Sequence, residues 1–247
     1  MNQTLYLKVS PENTGDLILL CGDPARVDFF TEIFPFFTLI SRNREFSIAT
    51  GEYQGQRFSI VSAGIGAPST AIALEELKQA GARAVVRIGT MMGLTAQMGS
   101  VVIPNGAVCQ EGTSHNYLPP GYPAVPHWDL QHDLIAAANQ RGLDVHVGLS
   151  ATFDGFYTHL FPDLAGRQPM DWTEYIRYSV LSVDMETSLI FNLGRFLGLA
   201  SAAMCLVTVQ PGALPNFLDA EKRSDLEHSL LVAAMEGLLA FGKAHPA

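Results

Sequence analysis

A three-layer α/β/α fold around a central mixed β-sheet is the class this 247-residue sequence predicts. Three observations lead there. Short apolar runs of strand length alternate with longer amphipathic segments of helical period. Glycines and prolines mark the switches between them, as turns require. The composition is 48% hydrophobic and 16% charged, which at this length suits one sizeable core and a single domain over residues 1–247.

The elements follow in chain order. The first strand is read at 16–22 (DLILLCG), an apolar run closed by glycine. Asp23 and Pro24 then open a helix over 23–34, the first as an N-cap and the second suited to the first turn. Residues 57–66 (RFSIVSAGIG) form a strand that runs into a glycine-rich turn, and 67–82 a helix that stops near Gly81. A strand at 84–89 (AVVRIG) and another at 100–109 (SVVIPNGAVC) come next. Residues 110–127 carry four prolines and two glycines and read as a rigid loop, the kind of segment on which sites concentrate. A helix at 127–142, a strand at 144–151, a helix at 185–199 and a strand at 200–209 lead to a long amphipathic helix at 219–244. Strands separated by helices imply a parallel or mixed sheet covered on both faces.

The bulk properties narrow the function. A formal charge of −9 repels nucleic-acid backbone and anionic membrane surface, so neither is an expected partner. An anionic substrate would need a local arginine cluster. Cys21, Cys109 and Cys205 are odd in number and far apart, which fits a reducing, cytoplasmic setting. The N-terminal segment lacks the basic and apolar regions of a signal peptide, and no apolar run reaches the roughly 18–20 residues that span a bilayer.

The sharpest local signal is Arg87, set among Val85, Val86 and Ile88 just before a Gly-Thr turn. A guanidinium in an apolar strand is costly unless an anion meets it. Arg26 in GDPARV (22–27) lies in the first turn of a helix, and Arg42 and Arg44 precede a strand. Arginines at strand ends and turns suggest an oxyanion clamp, whose planar forks suit phosphate. GIGAPS (64–69) comes close to the dinucleotide fingerprint, but Ser69 stands in the third glycine's place. Three readings stay open: a nicotinamide-cofactor site, a plain tight turn, or backbone N–H groups facing an anion or ribose. In VDMETS (183–188), Asp184 and Glu186 alternate along an extended chain and are expected on opposite sides. Glu186 could grip two sugar hydroxyls or merely favour a helix dipole, and the two carboxylates as a pair could do general acid/base work on a glycosidic bond. The histidines show no metal spacing, and Cys109 and Cys205 sit in apolar strands as core residues.

Taken together in this order and spacing, GDPARV, SAGIGAPSTAIALEEL, RIGT and VDMETS resemble the nucleoside phosphorylase-I family, and within it the uridine phosphorylases most. The resemblance spans nearly the whole chain. It implies phosphorolysis, in which a nucleoside and inorganic phosphate give a free base and a pentose 1-phosphate, with phosphate as co-substrate and no other cofactor. It implies a homodimer with shared active sites, dimers of the family commonly assembling into hexamers. Carried over by motif, Gly22, Arg26, Arg87 and Thr90 match the phosphate site, and Arg44 matches the arginine lent by a neighbouring subunit. Thr90, Met185 and Glu186 match the sugar site, with Tyr6 in place of a lent histidine. Phe156, Leu160, Thr208 and Gly93 fall at the base. Arg87 and Glu186 are the catalytic pair, and Arg87→Ala is expected to abolish turnover while leaving the fold intact.

The base half departs from the family. Leu160 and Pro162 stand where a Gln and an Arg read uracil, Thr208 and Val209 stand near the aspartate of purine enzymes, and Met91 and Met92 intrude before Gly93. His159, Asp163, Thr208 and Gln210 are the nearest polar replacements, with His115 and Asn116 of the proline-rich loop as further ones. Base specificity is therefore expected to be altered. A nucleosidase, or a non-catalytic protein that binds a nucleoside or base, are the alternatives of the same fold.

Overall fold

The computed structural model describes residues 3–160, 165–168, 170–211 and 216–246. β1 (Leu17–Cys21) is buried throughout and ends at Gly22. Asp23 caps α1 (Pro24–Ile33) by accepting from the Ala25 N–H at 2.9 Å, with Pro24 in the first turn where its missing N–H costs nothing. A hairpin, β2 (Thr38–Asn43) and β3 (Phe46–Tyr53), leads to β4 (Gln56–Ala63) and α2 (Ala67–Gln79). β5 (Ala84–Gly93) runs four residues beyond its expected end, and β6 (Val101–Gln110) follows. The proline-rich loop after it holds a single 3₁₀ turn, Ser114–Asn116, and bridges back from Ala124 to Ala107. Next come α3 (Trp128–Gln140), β7 (Val145–Phe153), a π-helical turn at Phe156–Leu160, α4 (Thr173–Arg177) and β8 (Val180–Asp184). The chain then forms α5 (Thr187–Leu197), β9 (Ala200–Gln210), the short β10 (Asn216–Phe217) and α6 (Ala220–Ala244).

The strands form one mixed sheet in the order β10-β9-β6-β7-β8-β5-β1-β4-β3-β2. Alternation along the strands sorts most of their side chains into two large cores, with two smaller clusters beside them. Leu17, Leu19, Val86, Ile88, Met204 and Leu206 pack under α1, α3 and α6, while Ile18, Leu20, Val85 and Ala203 pack under α2 and α5. Helices thus cover both faces, as the sequence predicts.

One feature of the sheet positions the site. β9 pairs with β6 and also, in parallel, with β5, so β5, β8, β7, β6 and β9 close into a ring. The closing contact is a short antiparallel pairing, Met92 with Val183 and Gly93 with Ser182. Because it is antiparallel, the residues after Val183 run back along β5 toward Arg87. Gly93 permits the bend, since a Cβ there would lie 2.3 Å from the Ala96 carbonyl oxygen.

Candidate active site

The C-terminal ends of β1, β4 and β5 and the start of α5 open onto a cleft of about 640 Å³. Gly22 and Gly64 narrow one wall: the Gly64 N–H donates to the Gly22 carbonyl at 3.0 Å, and a Cβ on Gly22 would press on the Gly64 oxygen at 3.0 Å.

Arg87, 6% exposed, points toward the α2/α5 side and meets two carboxylates. Its Nε donates to Asp184 Oδ2 at 2.9 Å, and its Nη2 stands 2.6 Å from Glu186 Oε2. The Nη1 edge lies over Gly89, where a Cβ would come within 2.8 Å. Asp184 and Glu186 therefore converge rather than diverge as the strand period suggested. The strand ends at Asp184, and Glu186 is already the bent N-cap residue of α5 (φ −140°, ψ −26°). The expectation that Arg87→Ala spares the fold also changes, because that substitution would strand two buried acids.

Asp184 is spent on structure. It accepts from the Thr187 hydroxyl at 2.6 Å, the Thr187 N–H at 3.1 Å and the Thr152 hydroxyl at 2.9 Å, besides Arg87. Glu186 Oε1 accepts the Gly66 N–H at 2.6 Å, at the start of α2. Of the three readings of GIGAPS, the tight turn forms, with Gly64 and Gly66 at φ of 75° and 91°, and the Gly66 N–H at the helix start also faces an anion, the protein's own carboxylate. Burial pushes Glu186 above the usual carboxylate range; Arg87 opposes this and Asp184 adds to it, one guanidinium serving two acids. Burial works against the Arg87 charge, but Glu186 and then Asp184 outweigh it and hold the guanidinium protonated. Burial raises the Cys21 and Cys205 thiols to about 12, which keeps both as core groups rather than nucleophiles.

Gly22, Arg26, Arg87 and Thr90 line this one cleft, together with Met185 and Glu186. Phe156, Leu160 and Thr208 line it as well, beside Met91, Met92, Val183 and Val209. Three anticipated residues do not. Gly93 is buried at the β5 bend and does not line the cleft. Arg44 is exposed on the β2–β3 turn, its guanidinium carbon 5.6 Å from the centre of the Tyr6 ring. Tyr6 faces a separate groove and is anchored by its N–H to the buried Glu76 at 2.9 Å. Of the polar replacements, Gln210 is held by the Ala96 carbonyl at 3.3 Å, and His159 packs its ring at a tilt against Phe153, outside the cleft lining. His115 and Asn116 sit on the 3₁₀ turn, where Asn116 is held by the Thr113 carbonyl at 3.1 Å. Asp163 and Pro162 lie outside the described residues.

Sequence reasoning missed Glu45, which lines the cleft beside Gly64, and the α6 residues Arg223 and Glu227. Arg223 also lines it, and both Arg26 and Arg223 bond Glu227. An Arg and a Glu four apart on an amphipathic helix carry no signal beyond an ordinary solvated pair. Among the described lining residues Asp23, Glu45, Asp184 and Glu186 outnumber Arg26, Arg87 and Arg223 by one. No group of three metal-ligating side chains lies together among the described residues, and no described helix is long and apolar enough to cross a membrane.

Comparison with known proteins places the chain in a family and a fold. The sequence profile of the phosphorylase superfamily matches residues 16–235. A guanosine phosphorylase of Halorubrum lacusprofundi is 35% identical over 204 residues, covering 82% of this chain and 81% of that one. A uridine phosphorylase of Thermococcus kodakarensis is 34% identical over 212 residues, 82% of this chain and 76% of its own. A crystal structure of uridine phosphorylase from Vibrio fischeri superposes with a TM-score of 0.83 at 28% identity, over 98% of both chains.

Proposed function

This chain belongs to the phosphorylase superfamily, and from that premise we propose that it cleaves the N-glycosidic bond of a nucleoside with inorganic phosphate, giving a free base and a pentose 1-phosphate. It is a pentosyltransferase of the nucleoside phosphorylase kind. The observation that carries the reading is the convergence of Arg26, Arg87, Thr90 and Glu186 on one cleft from three of the four motifs, with the fourth motif's Gly66 fixing Glu186.

The chemistry follows from charge. As the glycosidic bond stretches, the sugar becomes oxocarbenium-like and the base takes up the electron pair. Phosphate held beside the ring stabilises the cation and then attacks C1′, so catalysis is mainly positioning and electrostatics. Arg26, Arg87, Thr90 and the backbone at Gly22 are the phosphate-holding set in this reading, and phosphate is the co-substrate in place of any cofactor. Glu186 Oε1 takes the Gly66 N–H and Oε2 faces Arg87, and the carboxylate lines the cleft, where its oxygens can also accept from a sugar hydroxyl.

The lining of one chain holds an excess of acid, and a phosphate dianion needs the opposite. Arg44 is exposed and outside its own chain's cleft, which supports its being lent to a second copy. The assembly proposed is thus a homodimer with shared sites, or a hexamer of such dimers, acting in the cytoplasm, with residues 1–247 as one domain. Base preference is read as altered. Among the described residues, Thr208 is the hydrogen-bonding side chain among apolar neighbours at the Met91, Met92 and Leu160 end.

A panel of purine and pyrimidine nucleosides, assayed with and without phosphate and read by mass, tests this. Phosphate-dependent pentose 1-phosphate is the expected product. Cleavage that ignores phosphate, or no cleavage at all, overturns the reading.

A further inference from the structure

We propose that Glu227 is a positioning residue that gathers Arg26 and Arg223 into a two-guanidinium clamp for inorganic phosphate, making α6 part of the co-substrate site. The inference rests on the phosphorolytic reading above and adds two residues to it.

Arg26 sits in the first turn of α1 and Arg223 near the start of α6, and both line the cleft. The Nη2 of Arg26 and the Nε of Arg223 donate to the same oxygen, Oε1 of Glu227, each at 2.9 Å. The side chains of Arg26 and Glu227 are only 14% and 16% exposed, so this contact is poorly screened. Two guanidiniums brought this close repel one another unless a carboxylate lies between them. Glu227 supplies that charge and fixes one rotamer of each arginine. Burial opposes its ionisation, yet Arg26 and Arg223 hold it below the ordinary carboxylate range. The unit keeps one net positive charge, with the Nη1 of Arg26 and both Nη groups of Arg223 outside these two bonds. Planar guanidinium N–H groups suit phosphate oxygens.

Electrostatics alone and positioning predict opposite signs. Removing a negative charge beside an anion site strengthens anion binding if charge is all that matters. Removing a positioner weakens it. Calorimetric titration with inorganic phosphate reads this without turnover, and steady-state kinetics reads it again. Glu227→Ala is expected to raise the Kd and KM for phosphate about tenfold with the nucleoside KM little changed, the loss of charge-assisted bonds setting the scale. Glu227→Gln keeps an acceptor oxygen, so it is expected to rescue most of that loss without binding phosphate more tightly than wild type. Arg223→Ala is expected to weaken phosphate binding, and Arg223→Lys to restore it in part.

Equal or tighter phosphate binding by Glu227→Ala overturns the clamp. If that variant does not fold in a thermal melt, tighter binding by Glu227→Gln overturns it instead. A wild-type protein that takes up no phosphate also overturns it. If the variants behave as expected and no nucleoside is cleaved, the clamp stands and the phosphorolytic reading falls. If turnover needs phosphate and the variants bind it unchanged, the reverse holds.

Discussion

At one end of the cleft Arg87 is enclosed by Asp184 and Glu186, and each of those acids is tied in turn to a backbone or hydroxyl donor. At the other end Met91, Met92, Leu160, Val183 and Val209 form the wall, and Thr208 is 7% exposed among them. The first region is a network in which every charge depends on its neighbours, so a single loss leaves others unpaired in low dielectric. The second is held by packing, where a change of one or two methylenes alters shape without stranding a charge. On the phosphorolytic reading the contrast predicts that reaction and base choice are separable here, the polar end governing the chemistry and the apolar end what fits.

Four experiments break or sharpen that contrast. Arg87→Ala has the largest expected effect, a loss of about 3–5 kcal/mol in urea unfolding together with loss of turnover, because two buried acids lose their cation. Near-normal stability would mean that the acids are protonated or hydrated without it. Gly89→Ala comes next. Its Cβ would push on a guanidinium that two carboxylates hold in place. We expect about 1–3 kcal/mol of destabilisation and turnover lower by about 100-fold from misplacement. Unchanged kinetics would show that the guanidinium is free to shift.

Leu160→Ala acts at the apolar end. The ratio of kcat/KM for a purine over a pyrimidine nucleoside is expected to rise about tenfold while the phosphate KM stays constant. If the phosphate KM moves and the ratio does not, the two ends are not separable. The smallest effect concerns pH. Glu227 has a folded pKa below its ordinary value of 4.5, so the unfolded chain binds more protons as pH falls and the clamp's stability is lost with acidification. Glu227→Gln should cost up to about 1 kcal/mol at pH 7 and progressively less below pH 4.5, followed by urea melts across that range. A cost that does not vary with pH would remove ionisation as its cause.

Much of this was legible from local pattern. The apolar runs at β1, β4, β5 and β9 and the capped start of α1 follow from periodicity and capping alone. β2 was not, because its residues are exposed or half-buried and carry no alternation. β8 was seen only as the end of a strand, since five residues before a helix give too short a window. Within the site, motif spacing led to Arg26, Arg87, Thr90 and Glu186, whereas Arg223 and Glu227 look like an ordinary surface pair until α6 is laid against α1.

By itself the sequence determined that a guanidinium is buried in β5 and must meet an anion, because the energetic cost of an unpaired charge does not depend on the fold. Which anion meets it was decided by tertiary structure. The antiparallel contact of β8 with β5 brings Asp184 and Glu186 back along the strand to Arg87. Strand order, and so the pairing of groups 97 residues apart, is set by how the whole sheet closes, which no local period encodes.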